Sequence, residues 1–341
     1  CKQKESESKI ETSCEELAKL PPGIIESVKS SIIDLSPFSW DEIFGFDDAK
    51  QLLLEYFVIP SKFPQFFYSS VRYRRVALLL FGSPGVGKSI LARSLMNQID
   101  ATFFHLSASQ VLSKSGELFI QGLFTLALHN APSVIIMDDF DKISSGYYDE
   151  RELLANRRIR TELLYQIDQL SRHKITVTIE GQTYSLPAII FIGTTSSPYN
   201  IDGSLRKRFD VRLYCELPDL EARIRIIQTS LSQLCEHHGL GSTDISELAV
   251  KMDGFCGADI FNLIHKVVTI KIRDSRTSDV LSSTSKESSE VLSDYSMISI
   301  KFDDFAELIP KYYSKIPSSE QKRILDKFYS EYGTTYENRK E

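Results

Sequence analysis

The sequence predicts an α/β protein in which a parallel sheet is covered by helices and is followed by a small helical domain. Apolar runs that do not alternate with polar residues are separated by helical patterns, which is typical of parallel strands buried on both faces. After Pro218 only helical patterns remain. The predicted strands are VALLLF (76–81), ATFFHL (101–106), SVIIM (133–137), AIIFIG (188–193) and RLYCEL (212–217).

The chain divides into three predicted regions. Residues 1–37 are expected to form a polar linker and an N-terminal helix, which fits IIESVKSSII (24–33). Residues 38–218 are expected to form the large αβα domain, and residues 219–341 the small helical domain with a C-terminal helix. Within the small domain, residues 275–296 contain nine serines and few apolar side chains, so we expect a mobile loop there.

A β-hairpin is predicted as an insertion in the large domain. The segment KITVTIEGQTYSL (174–186) alternates apolar and polar residues with period two on either side of Glu180 and Gly181. This alternation around a turn indicates two antiparallel strands.

The composition excludes several classes of protein. The net charge of −6 and the pI of about 5.7 provide no overall basic field for nucleic acid. The five cysteines are scattered and lack metal-ligand spacing, which favours reduced thiols in a cytoplasmic protein. No apolar run approaches the roughly 20 residues that span a bilayer, so we expect no membrane insertion. Because the chain begins with Cys1 and not with Met, we expect it to be a fragment of a longer protein.

The strongest motif is GSPGVGKS (82–89), which matches GxxxxGK[ST] between a predicted strand and a predicted helix. Its glycines allow backbone N–H groups to surround phosphate oxygens. Lys88 is expected to neutralise the β- and γ-phosphates of ATP, and the Ser89 hydroxyl is expected to bind Mg²⁺. A Gly-rich turn without a ligand is the alternative. The predicted ATP contacts are Gly82, Ser83, Pro84, Gly85, Val86, Gly87, Lys88, Ser89 and Ile90.

A second candidate segment is VIIMDDFDKI (134–143), in which a buried strand ends in acidic residues. Asp138 lies at the strand end, where a carboxylate is expected to support Mg²⁺ together with Ser89. Asp139 and Asp141 follow directly. The alternative is that these acids cap the next helix.

Together these motifs resemble the AAA ATPase family, over residues 24–334. WDEIFGFDDAKQLL (40–53) resembles the segment that wraps the adenine, FIGTTSSP (191–198) the sensor-one strand, and IDGSLRKRFDVRLYCELPD (201–219) the arginine-finger helix. GFCGADIFNLIHKV (254–267) resembles a motif of the family's helical lid domain. The further nucleotide contacts that this resemblance implies are Ile43, Phe44, Gly45, Gly257 and Ala258.

Within the family, the C-terminal segment resembles that of the meiotic group. This group holds the vacuolar protein sorting ATPase that disassembles ESCRT filaments, and also katanin, spastin and fidgetin. EYFVIPSKFPQFF (55–67) is more similar to the vacuolar sorting enzyme, whereas GADIFN (257–262) is slightly more similar to katanin.

Four positions depart from the family pattern. Asp139 stands where the family has the Glu that polarises the attacking water, and a carboxylate shorter by about 1.5 Å can cost about 10²–10⁴ in rate. Ser196 replaces the sensor-one Asn, and its hydroxyl has a shorter reach. Lys207 replaces one of two finger arginines, while Arg208 is retained; lysine lacks the planar fork of arginine. The first pore loop, SKSGE (113–117), lacks an aromatic residue.

The resemblance therefore implies a ring-forming ATPase that uses ATP and Mg²⁺ to remodel protein assemblies, with slow or partner-dependent hydrolysis. The ring is expected to be a hexamer of this chain or of paralogous subunits, with Arg208 reaching the γ-phosphate of the neighbouring subunit. ESCRT subunits are the expected substrates; with tubulin as substrate, the chain would be a microtubule-severing ATPase. The other alternative is a non-hydrolysing structural subunit that donates Arg208 in a mixed ring.

Overall fold

The structure, a computed structural model, describes residues 20–33, 39–67, 76–112, 116–144, 150–179, 182–234, 239–276, 300–312 and 319–334. Within these residues the strands are β1 (Ile32–Ile33), β2 (Ala77–Gly82), β3 (Thr102–Ser107), β4 (Ser133–Asp138), β5 (Lys174–Ile179), β6 (Gln182–Pro187), β7 (Ile189–Thr195) and β8 (Val211–Cys215). The predicted linker before residue 20, the pore-loop residues 113–115 and the hairpin turn 180–181 lie outside the described residues.

The helices surround the sheet and then continue as a helical region. Those of the first half are α1 (Pro22–Lys29), α2 (Asp47–Leu53), α3 (Ile59–Lys62), α4 (Pro64–Phe67), α5 (Lys88–Ser94), α6 (Ala108–Leu112), α7 (Gly116–His129), α8 (Asp141–Ser144) and α9 (Glu150–Leu170). Those of the second half are α10 (Gly203–Arg206), α11 (Leu220–Leu234), α12 (Ser242–Lys251), α13 (Gly257–Arg276), α14 (Phe302–Ala306), α15 (Ile309–Tyr312) and α16 (Ser319–Tyr332). A π-helical turn, Leu54–Val58, joins α2 to α3.

Six strands form one sheet in the order β1-β3-β4-β7-β2-β8, and five of them are parallel. Every residue of β2 is buried, as expected for a strand covered by helices on both faces. The predicted α/β fold is therefore confirmed. Since the strands are parallel, β2, β4 and β7 all end at the same edge of the sheet, where residues 82–89, Asp138 and Thr195 follow one another across the edge.

The predicted N-terminal helix over residues 24–33 is wrong at its C-terminal end. Helix α1 ends at Lys29, and Ile32 and Ile33 form β1, which pairs antiparallel with β3 opposite Phe104 and Phe103. Two β-branched residues fit a strand better than a helix end, and the pairing partner is distant in sequence.

The predicted hairpin is confirmed. Strands β5 and β6 pair antiparallel, with Lys174 opposite Pro187 and Ile179 opposite Gln182. They form a separate two-stranded sheet.

Helices α11 to α15 have a hydrophobic core of their own, which includes Leu248, Ile264 and Phe305. The final helix, α16, instead packs on the edge of the large sheet, where Phe328 contacts Phe81 with ring centroids 4.9 Å apart. The domain boundary at residues 218 and 219 stays a prediction. Helix α13 extends to Arg276, and the rest of the predicted loop 275–296 lies outside the described residues. Among the described helices, none has the length and hydropathy needed to cross a bilayer.

Candidate functional site

The phosphate-loop motif lies between β2 and α5, as its sequence context predicts. Gly85 and Gly87 adopt left-handed backbone conformations, with φ of 76° and 113°. A Cβ atom on Gly85 would lie 2.7 Å from the Cys256 sulfur, so this position accepts no side chain without movement. The loop therefore requires glycine both for its backbone conformation and for its close approach to the lid.

Lys88 is buried below this loop and has only neutral hydrogen-bond partners. Its ammonium donates to the carbonyl oxygens of Gly82 at 2.9 Å and Ser83 at 2.8 Å, and to the Ser196 hydroxyl at 3.2 Å. Within the described part of the chain, no carboxylate forms a salt bridge with it. Burial lowers the pKa of Lys88, although Cys215 and nearby aspartates oppose the shift. A buried cation without an anionic partner suits a phosphate ligand.

Asp138 accepts three hydrogen bonds from side chains on three different elements. Its Oδ1 accepts from the hydroxyls of Ser89 and Thr194, both at 2.8 Å, and its Oδ2 lies 2.8 Å from His105 Nε2. Burial raises the pKa of Asp138, but the hydrogen bonds from His105, Ser89 and Thr194 outweigh burial, so the pKa is lowered. The carboxylate is therefore held in its ionised form.

The sequence did not reveal the roles of His105 and Thr194. The available signals were a histidine inside the apolar strand ATFFHL and a threonine at the end of a buried strand. Neither signal specifies a partner, because the contact depends on how β3 and β7 align with β4.

The donor set at this edge fits a magnesium ion. Mg²⁺ prefers oxygen ligands and is usually held by one or two carboxylates together with substrate phosphates. Ser89 and Asp138 supply a hydroxyl and an ionised carboxylate within hydrogen-bond distance of each other. Lys88 lies on the same loop, one residue away, so phosphate and metal could be bound side by side.

Asp139 has surroundings that differ from those of Asp138. It has a left-handed backbone with φ of 55°, and its carboxylate pairs with Lys142 at 2.6 Å, with about half of the side chain exposed. Asp141 accepts a hydrogen bond from Thr195 at 2.5 Å. The Ser196 hydroxyl contacts Lys88, so the predicted sensor-one residue does lie beside the phosphate loop.

Ala258 and Gly257, two of the predicted nucleotide contacts, lie next to the same loop. The backbone N–H of Ala258 donates to the Gly85 carbonyl at 3.1 Å, and a Cβ on Gly257 would lie 3.8 Å from the Val86 carbonyl oxygen. Of the other predicted nucleotide contacts, Ile43 is buried, and Gly45 lies in a left-handed conformation with φ of 78°. The neighbouring Phe44 lines a cleft with Gly45, and none of the described residues that line this cleft belongs to the phosphate loop.

The predicted finger residues lie apart from this cluster. Arg208 forms two hydrogen bonds with the Asp168 carboxylate on α9, at 2.7 and 2.8 Å, and a third with the Ser204 carbonyl. Lys207 is exposed. Between the described residues, no hydrogen bond or salt bridge joins Arg208 to the phosphate loop of its own chain.

Residues 78–217 match the family described as "ATPase family associated with various cellular activities (AAA)". This chain belongs to the AAA family. The Arabidopsis thaliana protein SUPPRESSOR OF K(+) TRANSPORT GROWTH DEFECT 1 is 34% identical over 76% of the chain, and fidgetin-like protein 1 of Xenopus laevis is 34% identical over 81%. The katanin p60 subunit A1 of Arabidopsis thaliana is 29% identical over 90%. The predicted relation to the meiotic group is thereby confirmed.

Solved structures agree with this assignment. The AAA domain of FIGL-1 has a TM-score of 0.76 at 28% identity, with 94% of this chain and 98% of that one covered. The same domain in complex with ADP has a TM-score of 0.72 at 28% identity, covering 91% and 97%. A structure described as "Structural Basis for Katanin Self-Assembly" has a TM-score of 0.69 at 26% identity, with 89% of this chain and 96% of that one covered.

The AAA-family chain spans only part of its curated relatives. It covers 57% of the length of the first Arabidopsis relative and of the katanin subunit, and 40% of the Xenopus protein.

Proposed function

We propose that this chain binds Mg·ATP at the phosphate loop and hydrolyses it slowly, as one subunit of a ring that remodels protein assemblies. The observation that supports binding most strongly is the buried Lys88 ammonium, which has neutral partners only and lies next to the Ser89–Asp138 pair. The FIGL-1 AAA domain, which has been solved with ADP, supports a nucleotide as the ligand.

Each residue has a distinct part in this proposal. The backbone of residues 82–87 surrounds the phosphates, Lys88 neutralises the β- and γ-phosphates, and Ser89 and Asp138 hold the metal. When bound, Mg²⁺ supplies positive charge that stabilises the phosphoryl group during transfer. Residues 43–45 and 257–258 enclose the nucleotide from the adenine and lid sides.

Slow hydrolysis follows from Asp139. A water-activating carboxylate must lie within hydrogen-bond reach of the water, and Asp is shorter than Glu by one methylene, about 1.5 Å. Its carboxylate is also engaged by Lys142 at 2.6 Å. Ser196, at the sensor-one position, is proposed to orient the γ-phosphate or water through its hydroxyl.

The ring is proposed because, among the described residues, Arg208 forms no hydrogen bond or salt bridge with its own phosphate loop. It would instead act on the site of a neighbouring subunit. Self-assembly reported for katanin supports this arrangement. Lys207 would add a positive charge at the same contact between subunits. We propose a nucleotide-dependent hexamer in the cytoplasm that acts on ESCRT subunits, with tubulin as the alternative substrate.

The first test is binding and turnover by the purified chain. We expect calorimetry to detect Mg·ATP binding, the Lys88→Ala variant to lose it, and the Lys174→Ala variant on the exposed hairpin to keep it. Turnover per subunit is expected to be low and to rise with protein concentration as rings form. No heat of binding, or equal binding by the Lys88→Ala variant, would contradict the proposal.

A second candidate function is a non-hydrolysing subunit of a mixed ring. The short reach of the Asp139 carboxylate and of the Ser196 hydroxyl supports it, and the retained Arg208 would still complete a neighbour's site. The test is to mix the chain with an active paralogue. If this chain alone has no turnover, and the mixture exceeds the turnover of the paralogue alone by an amount that disappears with Arg208→Ala in this chain, this candidate is selected over slow self-hydrolysis.

A further inference from the structure

His105 contacts the carboxylate that the proposed function assigns to the metal. It lies on β3 opposite Ile136 of β4, so its side chain is on the same face of the sheet as Asp138, two residues further along β4. Its Nε2 atom is 2.8 Å from Asp138 Oδ2, and about a quarter of the imidazole is exposed. The two flanking residues, Phe104 and Leu106, are buried.

The direction of this hydrogen bond follows from the chemistry of its partners. An ionised carboxylate can only accept, so the imidazole carries a hydrogen on Nε2. The other oxygen, Oδ1, already accepts from Ser89 and Thr194. Within the described residues, His105 is the only side chain that hydrogen-bonds to Oδ2. Without His105, the carboxylate would be held at one oxygen only and could turn about its terminal bond.

We propose that His105 is a positioning residue for the magnesium site, an inference that rests on the proposed function. By fixing Oδ2, it holds the Asp138 carboxylate in the orientation in which Oδ1 accepts the hydrogen bond from Ser89, before any ligand binds. Outer-sphere partners of metal-binding carboxylates act in this way, and their loss typically costs about 10–100-fold in metal affinity. Loss of His105 should therefore weaken the part of ATP binding that depends on the metal. The phosphate contacts that do not need the metal should be unchanged.

Three substitutions separate a hydrogen-bond role from a packing role. His105→Leu introduces an apolar side chain of similar size and removes the hydrogen-bond donor. His105→Gln supplies an amide nitrogen with the same number of bonds from the backbone as Nε2, whereas His105→Asn ends one bond shorter. His265→Leu, on an exposed face of α13, is the matched control for loss of an imidazole.

The measurement is the affinity for a fluorescent, non-hydrolysable ATP analogue, in excess Mg²⁺ and in excess EDTA. In Mg²⁺ we expect His105→Leu and His105→Asn to bind about 10–100-fold more weakly. In EDTA all variants should bind like the unaltered chain. The His105→Gln and His265→Leu variants should match the unaltered chain in both buffers.

Three results would overturn the proposal, and they can be distinguished from one another. If the unaltered chain binds the analogue in neither buffer, the proposed function fails and the role of His105 with it. If the unaltered chain gains affinity from Mg²⁺ and the His105→Leu variant gains equally, only the role of His105 fails. Should His105→Leu not fold, as judged by its thermal unfolding, equal Mg²⁺-dependent binding by the Gln and Asn variants would overturn the proposal.

Discussion

Lengthening Asp139 to Glu is expected to raise the rate of ATP turnover. The backbone at this position follows directly from Asp138, which is fixed by three hydrogen bonds, so an added methylene should extend the carboxylate without moving the strand. The gain in reach is about 1.5 Å. Because a misplacement of about 1 Å can cost about 10²-fold, we expect Asp139→Glu to accelerate turnover by about 10–100-fold.

The Lys142 pair is too weak to account for such a change. Both side chains are about half exposed, and an exposed ion pair contributes about 0.2–1 kcal/mol, which corresponds to at most about 5-fold in rate. The Lys142→Ala variant should therefore change turnover by about 5-fold or less. The sizes of the two changes in turnover therefore show whether the rate is limited by the short reach of Asp139 or by its ion pair with Lys142.

The assay is steady-state phosphate release at saturating Mg·ATP and at matched subunit concentrations, with Asp139→Asn as the baseline. We expect the unaltered chain to exceed this baseline only slightly and the Glu variant to exceed it clearly. The reasoning is refuted if Asp139→Asn abolishes a fast rate while Asp139→Glu brings no increase, since an aspartate of normal length would then already activate water.

Three further predictions concern stability and the shape of the loop. Phe328→Ala should lower the free energy of unfolding by about 3–5 kcal/mol in chemical denaturation, because this ring is fully buried against the sheet edge. Gly85→Ala should weaken nucleotide binding and cost about 1–3 kcal/mol, because of its left-handed backbone and the contact with Cys256, whereas Gly203→Ala, with no atom within 4 Å of its added methyl, should change stability by about 0.5 kcal/mol or less. Because the folded-state pKa of Asp138 lies below its ordinary value of 3.8, its contribution is present above that pH and is lost as the pH falls below it. Denaturation at several pH values should therefore show Asp138→Asn losing less stability below pH 3.8 than the unaltered chain.

The sequence predicted the central sheet because its strands are long, apolar runs separated by helices. It failed at β1, where only Ile32 and Ile33 form the strand and the helical pattern of α1 continues through them. Two β-branched residues are too short a local signal to outweigh the helical pattern that precedes them. Their conformation depends on pairing with Phe103 and Phe104, about seventy residues later.

In the candidate site, too, the sequence predicted the residues that belong to local patterns and missed those that meet only in the folded chain. The phosphate loop and Asp138 could be predicted because each is a local pattern at the end of a strand. His105 and Thr194 could not, since their roles depend on the alignment of three strands that are far apart in sequence. The pairing of Arg208 with Asp168 was missed for the same reason, since α9 and the end of α10 meet only in the folded chain.

In the proposed function, the two adjacent carboxylates at the end of β4 make nucleotide binding and hydrolysis separable. Asp138 is mostly buried, ionised and held from both oxygens, so its orientation does not depend on solvent or on a neighbouring subunit. Asp139 is half exposed, and its partner among the described residues, Lys142, is also exposed and costs little to displace. Contacts in the proposed ring would be made at the surface, so they would act on Asp139 and leave the geometry of Asp138 unchanged. A subunit built in this way would hold its nucleotide in isolation and become active only when a neighbour reorganises the exposed half of the site.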